Sequence, residues 1–185
     1  MNTTIDDTLQ QLVDRSEIAD LVHRLGVVLD EGSFDDLQTL LAEDATVRTQ
    51  GGTALGRNAV IAQARRNHPP DQPIQHVITN ILVDLDGARA RARANLVVYF
   101  GPTAGASDRA AEPPPVEYTT GEVYHYELVR ASEGWRFSRI QTTPVWRSGT
   151  PFRPGHRLGW GDRLAPGRER AGLARPRPAP GAGSA

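Results

Sequence analysis

The 185-residue chain contains no cysteine and no lysine, and all 21 of its basic residues are arginine. Thiolate nucleophiles, disulfides and Cys-ligated metals are therefore excluded. So is imine chemistry, since no side-chain amine is present. His23, His68 and His125 are scattered, and His76 has no second ligand at a metal-binding spacing. No Gly-rich phosphate motif of the Walker or dinucleotide type occurs, so neither cofactor nor metal is expected. Proton transfer by carboxylate and imidazole, assisted by phenols, is among the chemistries left open. The side chains of interest are Asp30, His76 and Asn80, the tyrosines Tyr99, Tyr124 and Tyr126, and His125.

The elements that must position them follow from periodicity. Ile18, Leu21, Val22, Leu25 and Leu29 recur at helical spacing within 6–31, a stripe that lies on a core, and Gly32 stops the helix. At about 100° per residue, Asp30 sits roughly 120° from the centre of that stripe, on its flank. A short second helix is expected from Ser33 as N-cap, with Leu37, Leu40 and Leu41 facing inward. A strand is expected at 45–49. A third helix opens at Gly56-Arg57-Asn58 and ends before His68-Pro69-Pro70.

Beyond residue 74 the period changes to two. Segments 75–85 and 89–100 alternate around Asp86-Gly87, a hairpin turn signal, and Arg89, Arg91 and Arg93 interleave with Ala90, Ala92 and Ala94. Two further strands, 119–130 and 134–147, flank Ser132-Glu133-Gly134. Parity of two puts Asn80 on the strand face of His76. It also puts Tyr124 and Tyr126 together, with His125 on the opposite face. Helices followed by an antiparallel meander predict an α+β domain, a curved sheet around a long helix.

Composition bounds the rest. Hydrophobic residues make up 38% and charged residues 23%, ordinary for a water-soluble domain with one core. The first residues lack the positive charge and apolar block of a signal peptide, and no stretch reaches membrane-span length, so the cytoplasm is the expected compartment. The overall charge of −1 divides into −6 over residues 1–149 and +5 over 150–185. An acidic domain argues against a nucleic-acid surface. Residues 150–185 hold six Pro and seven Gly in 36 positions and are expected to be a largely disordered tail following a 1–149 domain. The loop 101–117, with Pro113-Pro114-Pro115, is long for a hairpin connection and reads as a pocket lid or as disorder.

Several runs resemble SnoaL-like proteins of the nuclear transport factor 2 superfamily. They are Glu17 through Val22, Leu29-Asp30-Glu31-Gly32-Ser33-Phe34-Asp35-Asp36-Leu37, Glu43-Asp44-Ala45, Gly56-Arg57, His76-Val77-Ile78-Thr79-Asn80, and Gly121 through Tyr124 leading to Gly134-Trp135-Arg136. They occur in family order across roughly residues 8–149. The resemblance implies a cone-shaped α+β barrel, its helices packed in the concave face of a curved antiparallel sheet, with a deep pocket. It also implies a homo-oligomer, most simply a dimer, formed through the outer face of the sheet.

In related dehydratases an Asp at the position of Asp30 works with a strand His at that of His76. The resemblance therefore implies that these two meet at an apolar pocket and move protons on a small molecule such as a polyketide or steroid-like ring compound. The pair must then lie within hydrogen-bond reach, beside a cavity of a few hundred Å³. Bile-acid dehydratase-like members often carry a Tyr where this chain has Leu25, so a substrate-polarising phenol is missing there. Tyr99, Tyr124, Tyr126 or His125 are substitutes from the sheet, and Asn80 and Trp146 are further substrate-contact candidates. The plain structural alternatives are a polar helix end for Asp30 and a backbone-bonded strand histidine for His76. A non-catalytic binding or assembly module is the alternative function. An epoxide hydrolase would require Asp84 and Arg93 to converge on a pocket water.

Overall fold

The computed structural model describes residues 4–102 and 113–150. The expectations placed on the centre of the 101–117 loop and on the tail from residue 151 onward lie outside them.

Helix α1 (Ile5–Glu31) begins with a reciprocal cap. The Thr4 hydroxyl accepts from the Asp7 backbone N–H at 3.2 Å, and Asp7 Oδ2 accepts from the Thr4 N–H at 3.1 Å. It ends where Gly32 adopts a left-handed φ of 73°. Its C-terminal half buries Ile18, Leu21, Val22 and Leu25 of the expected stripe, together with Val28, while Leu29 is partly buried. A single 3₁₀ turn (Phe34–Asp36) and the short α2 (Leu37–Leu40) lead into β1 (Leu41–Thr49). Strand β2 (Gly52–Leu55), α3 (Arg57–Asn67), β3 (Ile74–Asp86), β4 (Arg89–Phe100), β5 (Tyr118–Ala131) and β6 (Gly134–Gly149) follow.

The six strands form one sheet in the order β2-β1-β6-β5-β4-β3. It is open, with β2 and β3 at its edges, so the barrel is not closed. It is also mixed, because β1 runs parallel to β6 while every other pair is antiparallel. An all-antiparallel sheet was the expectation. The difference arises because β1 joins the far end of the meander after the chain has passed through α1, and that pairing is set by tertiary packing.

The edge of β3 is covered by α1. Arg15 Nη1 donates to the Val83 carbonyl, and Asp30 takes the backbone N–H of His76. Fifteen helical residues span about 22 Å. The seven strand residues between the two partners span about 23 Å, so helix and strand lie alongside with matched reach. Gly26 permits the close approach, since a Cβ there would stand 3.2 Å from Ile78 Cδ1. Edge groups that would otherwise invite another strand are thereby satisfied.

A bulge at Asn80 and Ile81 interrupts the pairing of β3 with β4, between Thr79↔Asn95 and Leu82↔Arg93. Asn80 takes φ 54°, a left-handed value that Asn tolerates. The extra residue shifts the inward set from Ile74, His76 and Ile78 to Ile81, Val83 and Leu85. On β4 the alanines face inward and are buried. Ala92 lies opposite Tyr126 and Ala94 opposite Tyr124, so small side chains on one strand leave room for large ones on the next. The arginines face outward, where Asp84, Arg91, Glu127 and Arg139 form one row of alternating charge across four strands. Among the described residues no helix is long and apolar enough to cross a membrane.

Candidate active site

Between α1, α3 and the concave face of the sheet lies a cavity of about 230 Å³. Leu25 and Leu29 of α1, Val60 and Ala64 of α3, and Leu96 and Val98 of β4 supply much of its apolar wall. Polar side chains interrupt it, among them Arg66, Asn67, Gln72 and Thr142 and two groups that matter for chemistry. One is the His76 and His68 imidazoles; the other is Gln50, Gln63, Thr120 and Glu122.

At the first, Asp30 Oδ1 accepts from both the backbone N–H of His76, at 2.8 Å, and its Nδ1, at 2.7 Å. A carboxylate can only accept, so this bond places the His76 proton on Nδ1 and leaves Nε2 as the free ring nitrogen. The His76 side chain is 6% exposed and borders the cavity. Asp30, whose side chain is 26% exposed, does not border it. The two touch, with the carboxylate behind the imidazole.

His68, at the C-terminal end of α3, sets its ring in tilted contact 5.4 Å from that of His76 and 5.8 Å from Phe34. Its Nδ1 lies 2.8 Å from the Ala64 carbonyl, which fixes the proton on that nitrogen. Burial pushes the His68 pKa down to about 4, with the neighbouring His76 adding to the effect. The backbone bond and the Asp30 charge oppose it. The helix ends before His68, as expected, but a role for this residue is not among the expectations. Its position in the first turn beyond a helix, ahead of Pro69-Pro70, is the signal that a side chain is held there.

From the sheet, Tyr124 is 5% exposed and borders the cavity. Burial raises its pKa, and the charges of Glu122 and Asp30 raise it further, so the phenol stays protonated. Tyr126 stacks on it at 4.9 Å but is buried behind the wall, with its hydroxyl unpaired in the core and its pKa raised by burial. The other sheet candidates lie elsewhere. Asn80 is exposed at the bulge, which breaks its parity with His76. Tyr99, His125 and Trp146 lie on the outer face; Tyr99 is 37% and Trp146 49% exposed, and the Trp146 ring covers Gly121. Asp84 and Arg93 also face outward, lining a shallow groove on the convex side, so the convergence an epoxide hydrolase needs is absent. Leu25 borders the cavity as an apolar wall residue.

Glu122 is likewise not among the expected site residues. It shares the inward parity of Tyr118, Thr120, Tyr124 and Tyr126 on β5, and a charged residue at a buried position in that series is a legible signal. Among the described residues, no three His, Cys, Asp or Glu side chains converge as metal ligands.

A family model for the SnoaL-like domain matches residues 10–141. The chain belongs to the SnoaL-like family. An uncharacterized protein of Mycobacterium tuberculosis is 30% identical over 143 residues, covering 76% of this chain and 91% of that protein. Among solved structures, a scytalone dehydratase-like protein from Novosphingobium aromaticivorans superposes with a TM-score of 0.65 at 20% identity, covering 79% of this chain and 93% of the other. The hexachlorocyclohexane dehydrochlorinase LinA (type 2) gives 0.66 at 18% identity, covering 80% and 99%. At these identities the two structures establish the nuclear transport factor 2-like fold of this SnoaL-like protein.

Proposed function

We propose that this SnoaL-like protein is a cofactor-independent acid–base enzyme of the lyase, isomerase or cyclase type. Its substrate is a largely apolar small molecule, such as a small polyketide-type ring compound. The observation that carries the reading is the Asp30–His76 contact at the wall of an apolar cavity. The two structural neighbours bear the names of elimination enzymes, which supports the same reaction class.

In the elimination form, His76 Nε2 removes a proton from a carbon beside a carbonyl. The C–H electron pair forms the new double bond as a hydroxyl departs from the adjacent carbon. The same proton, returned from the imidazolium, leaves with it as water. Asp30 is the positioning residue: it fixes the imidazole and balances the charge the ring acquires. Tyr124, protonated and cavity-facing, supplies the donor to the carbonyl oxygen that Leu25 cannot. A cavity left open by its own side chains favours this reading over a non-catalytic module, and its size suits about two fused rings. We further propose a homodimer through the outer face of the sheet, where Val77, Tyr99 and Trp146 are exposed.

The test is a panel of cyclic β-hydroxy ketones followed by the absorbance of the conjugated product. Turnover is expected from the unaltered protein and a loss of roughly 10²-fold or more from His76→Ala, with an unchanged far-ultraviolet circular dichroism spectrum. Full turnover by that variant would remove His76 from the reaction.

A further inference from the structure

Glu122 is a buried carboxylate that the proton-transfer chemistry does not use. It is 8% exposed and borders the cavity. Gln50 Nε2 donates to Glu122 Oε1, and the Thr120 hydroxyl donates to the same oxygen at 3.3 Å. Gln50 also reaches Thr120 Oγ1 at 3.2 Å, so the three side chains form one rigid group. Both bonds to the carboxylate end on Oε1. Oε2 takes neither of them. Arg147, across from Thr120 on β6, is exposed, as is Arg66 at the cavity. An oxygen of a largely buried carboxylate that these bonds leave open can accept from a donor that enters the cavity.

The sheet register gives its distance from the reactive end. His76, Val98 and Thr120 lie in one row across β3, β4 and β5, and Glu122 is one inward-facing step further along β5. Two strand spacings and one such step separate the backbone positions of His76 and Glu122 by about 12 Å. Side chains leaning inward from a concave face shorten that gap to the length of a molecule of about two rings. Leu96 and Val98 supply apolar wall between them, and Tyr124 feels the charge of both Asp30 and Glu122.

We propose that Glu122 anchors a hydrogen-bond donor, a hydroxyl or amine, carried by the substrate at the end remote from the carbon that His76 deprotonates. The substrate class is then a one- or two-ring compound with a neutral or cationic donor at its far end, and carboxylated analogues are rejected. This rests on the reading of the cavity as a substrate site, and it is tested by binding alone.

Four probes separate the possibilities: β-naphthol, β-naphthylmethylamine, β-naphthyl methyl ether and β-naphthoate, titrated by calorimetry. The unaltered protein is expected to bind the naphthol and the amine roughly 10–100-fold more tightly than the ether, since one hydrogen bond to a charged acceptor is worth that much. Naphthoate is expected to bind more weakly than the ether. Glu122→Leu should bring naphthol and ether to equal affinity. Glu122→Gln, which keeps shape and hydrogen bonding, should erase the advantage of the amine and relieve the rejection of naphthoate; thermal melts of both variants establish that they fold. His76→Ala should retain the full discrimination, so a failure of the elimination chemistry leaves this readout intact. Equal binding of naphthol and ether by the unaltered protein overturns the proposal. So does wild-type discrimination in Glu122→Gln, or its loss in His76→Ala alone.

Discussion

A single carboxylate oxygen of Asp30 holds both the backbone N–H and the imidazole Nδ1–H of His76. The backbone bond is available because β3 is an edge strand, so the feature that leaves the sheet open also supplies a second grip on the histidine. Asp30→Asn keeps the shape but presents an amide in place of the charge, and the amide can turn its NH₂ toward the ring. The imidazole then loses its tautomer preference and its counter-charge. The expected outcome is a fall in kcat of roughly 10²–10⁴-fold. KM is expected to change little, because Asp30 does not border the cavity. Steady-state kinetics on any turned-over ketone decides it, and a rise in KM with kcat unchanged would place Asp30 in substrate binding instead.

Gly26 sets the distance between α1 and β3 that this contact needs, one helical turn before Asp30. A Cβ at 3.2 Å from Ile78 Cδ1 requires that side chain to give by a few tenths of an ångström, so Gly26→Ala is expected to fold. Gly26→Leu cannot fit without lifting the helix from the strand. It is expected to lower stability by about 1–3 kcal/mol and to lower kcat in step with Asp30→Asn. Chemical denaturation and kcat on the same preparation test both parts, and a Gly26→Leu enzyme with unaltered kcat would show that the helix spacing does not govern the pair.

Much of this site is written locally in the chain. The stripe Ile18 to Leu29, the stop at Gly32 and the alternation of β3 to β6 are short-range patterns, and they place Asp30, His76 and the Tyr124–Tyr126 pair. What is missed depends on contacts far apart in sequence. Four residues of β2 carry no period, and the parallel β1–β6 pairing has no local signature. The bulge at Asn80 reverses a parity that counting by two assumes is unbroken. Tyr99 and Trp146 read as substrate contacts because aromatic residues suit either face of a sheet; only the register assigns them to the convex side. His68 and Glu122 each carry a local signal, a ring just past a helix end and a carboxylate at an inward strand position, but what they face is set by long-range packing.

Tyr124 tests the electrophile left open by Leu25. Burial and the flanking carboxylates keep its phenol protonated over the working range, so it donates throughout and contributes no limb to the pH–rate profile. Tyr124→Phe removes only the hydroxyl. The expected loss is roughly 10–10³-fold in kcat, the range for a donor to a developing oxyanion, with the stack on Tyr126 preserved. An unchanged kcat would assign the carbonyl oxygen to another donor.

His68 predicts how stability responds to acid. Its folded pKa, about 4, lies below the 6.5 of an unfolded histidine, because burial penalises the charged ring. Between those values the unfolded chain binds more protons than the folded one, so stability falls as pH drops through that window and is constant above it as far as this group is concerned. The loss attributable to His68 amounts to roughly 3 kcal/mol between pH 7 and pH 4. His68→Phe retains an aromatic ring against Phe34 and His76 but cannot be protonated. Denaturant unfolding from pH 7 to pH 4 should therefore show a shallower decline for His68→Phe than for the unaltered protein. Other groups titrate in the same range, and only the difference between the two curves belongs to His68. Parallel curves would mean that this imidazole is free to charge in the folded state, and that the cavity wall beside His76 admits water there.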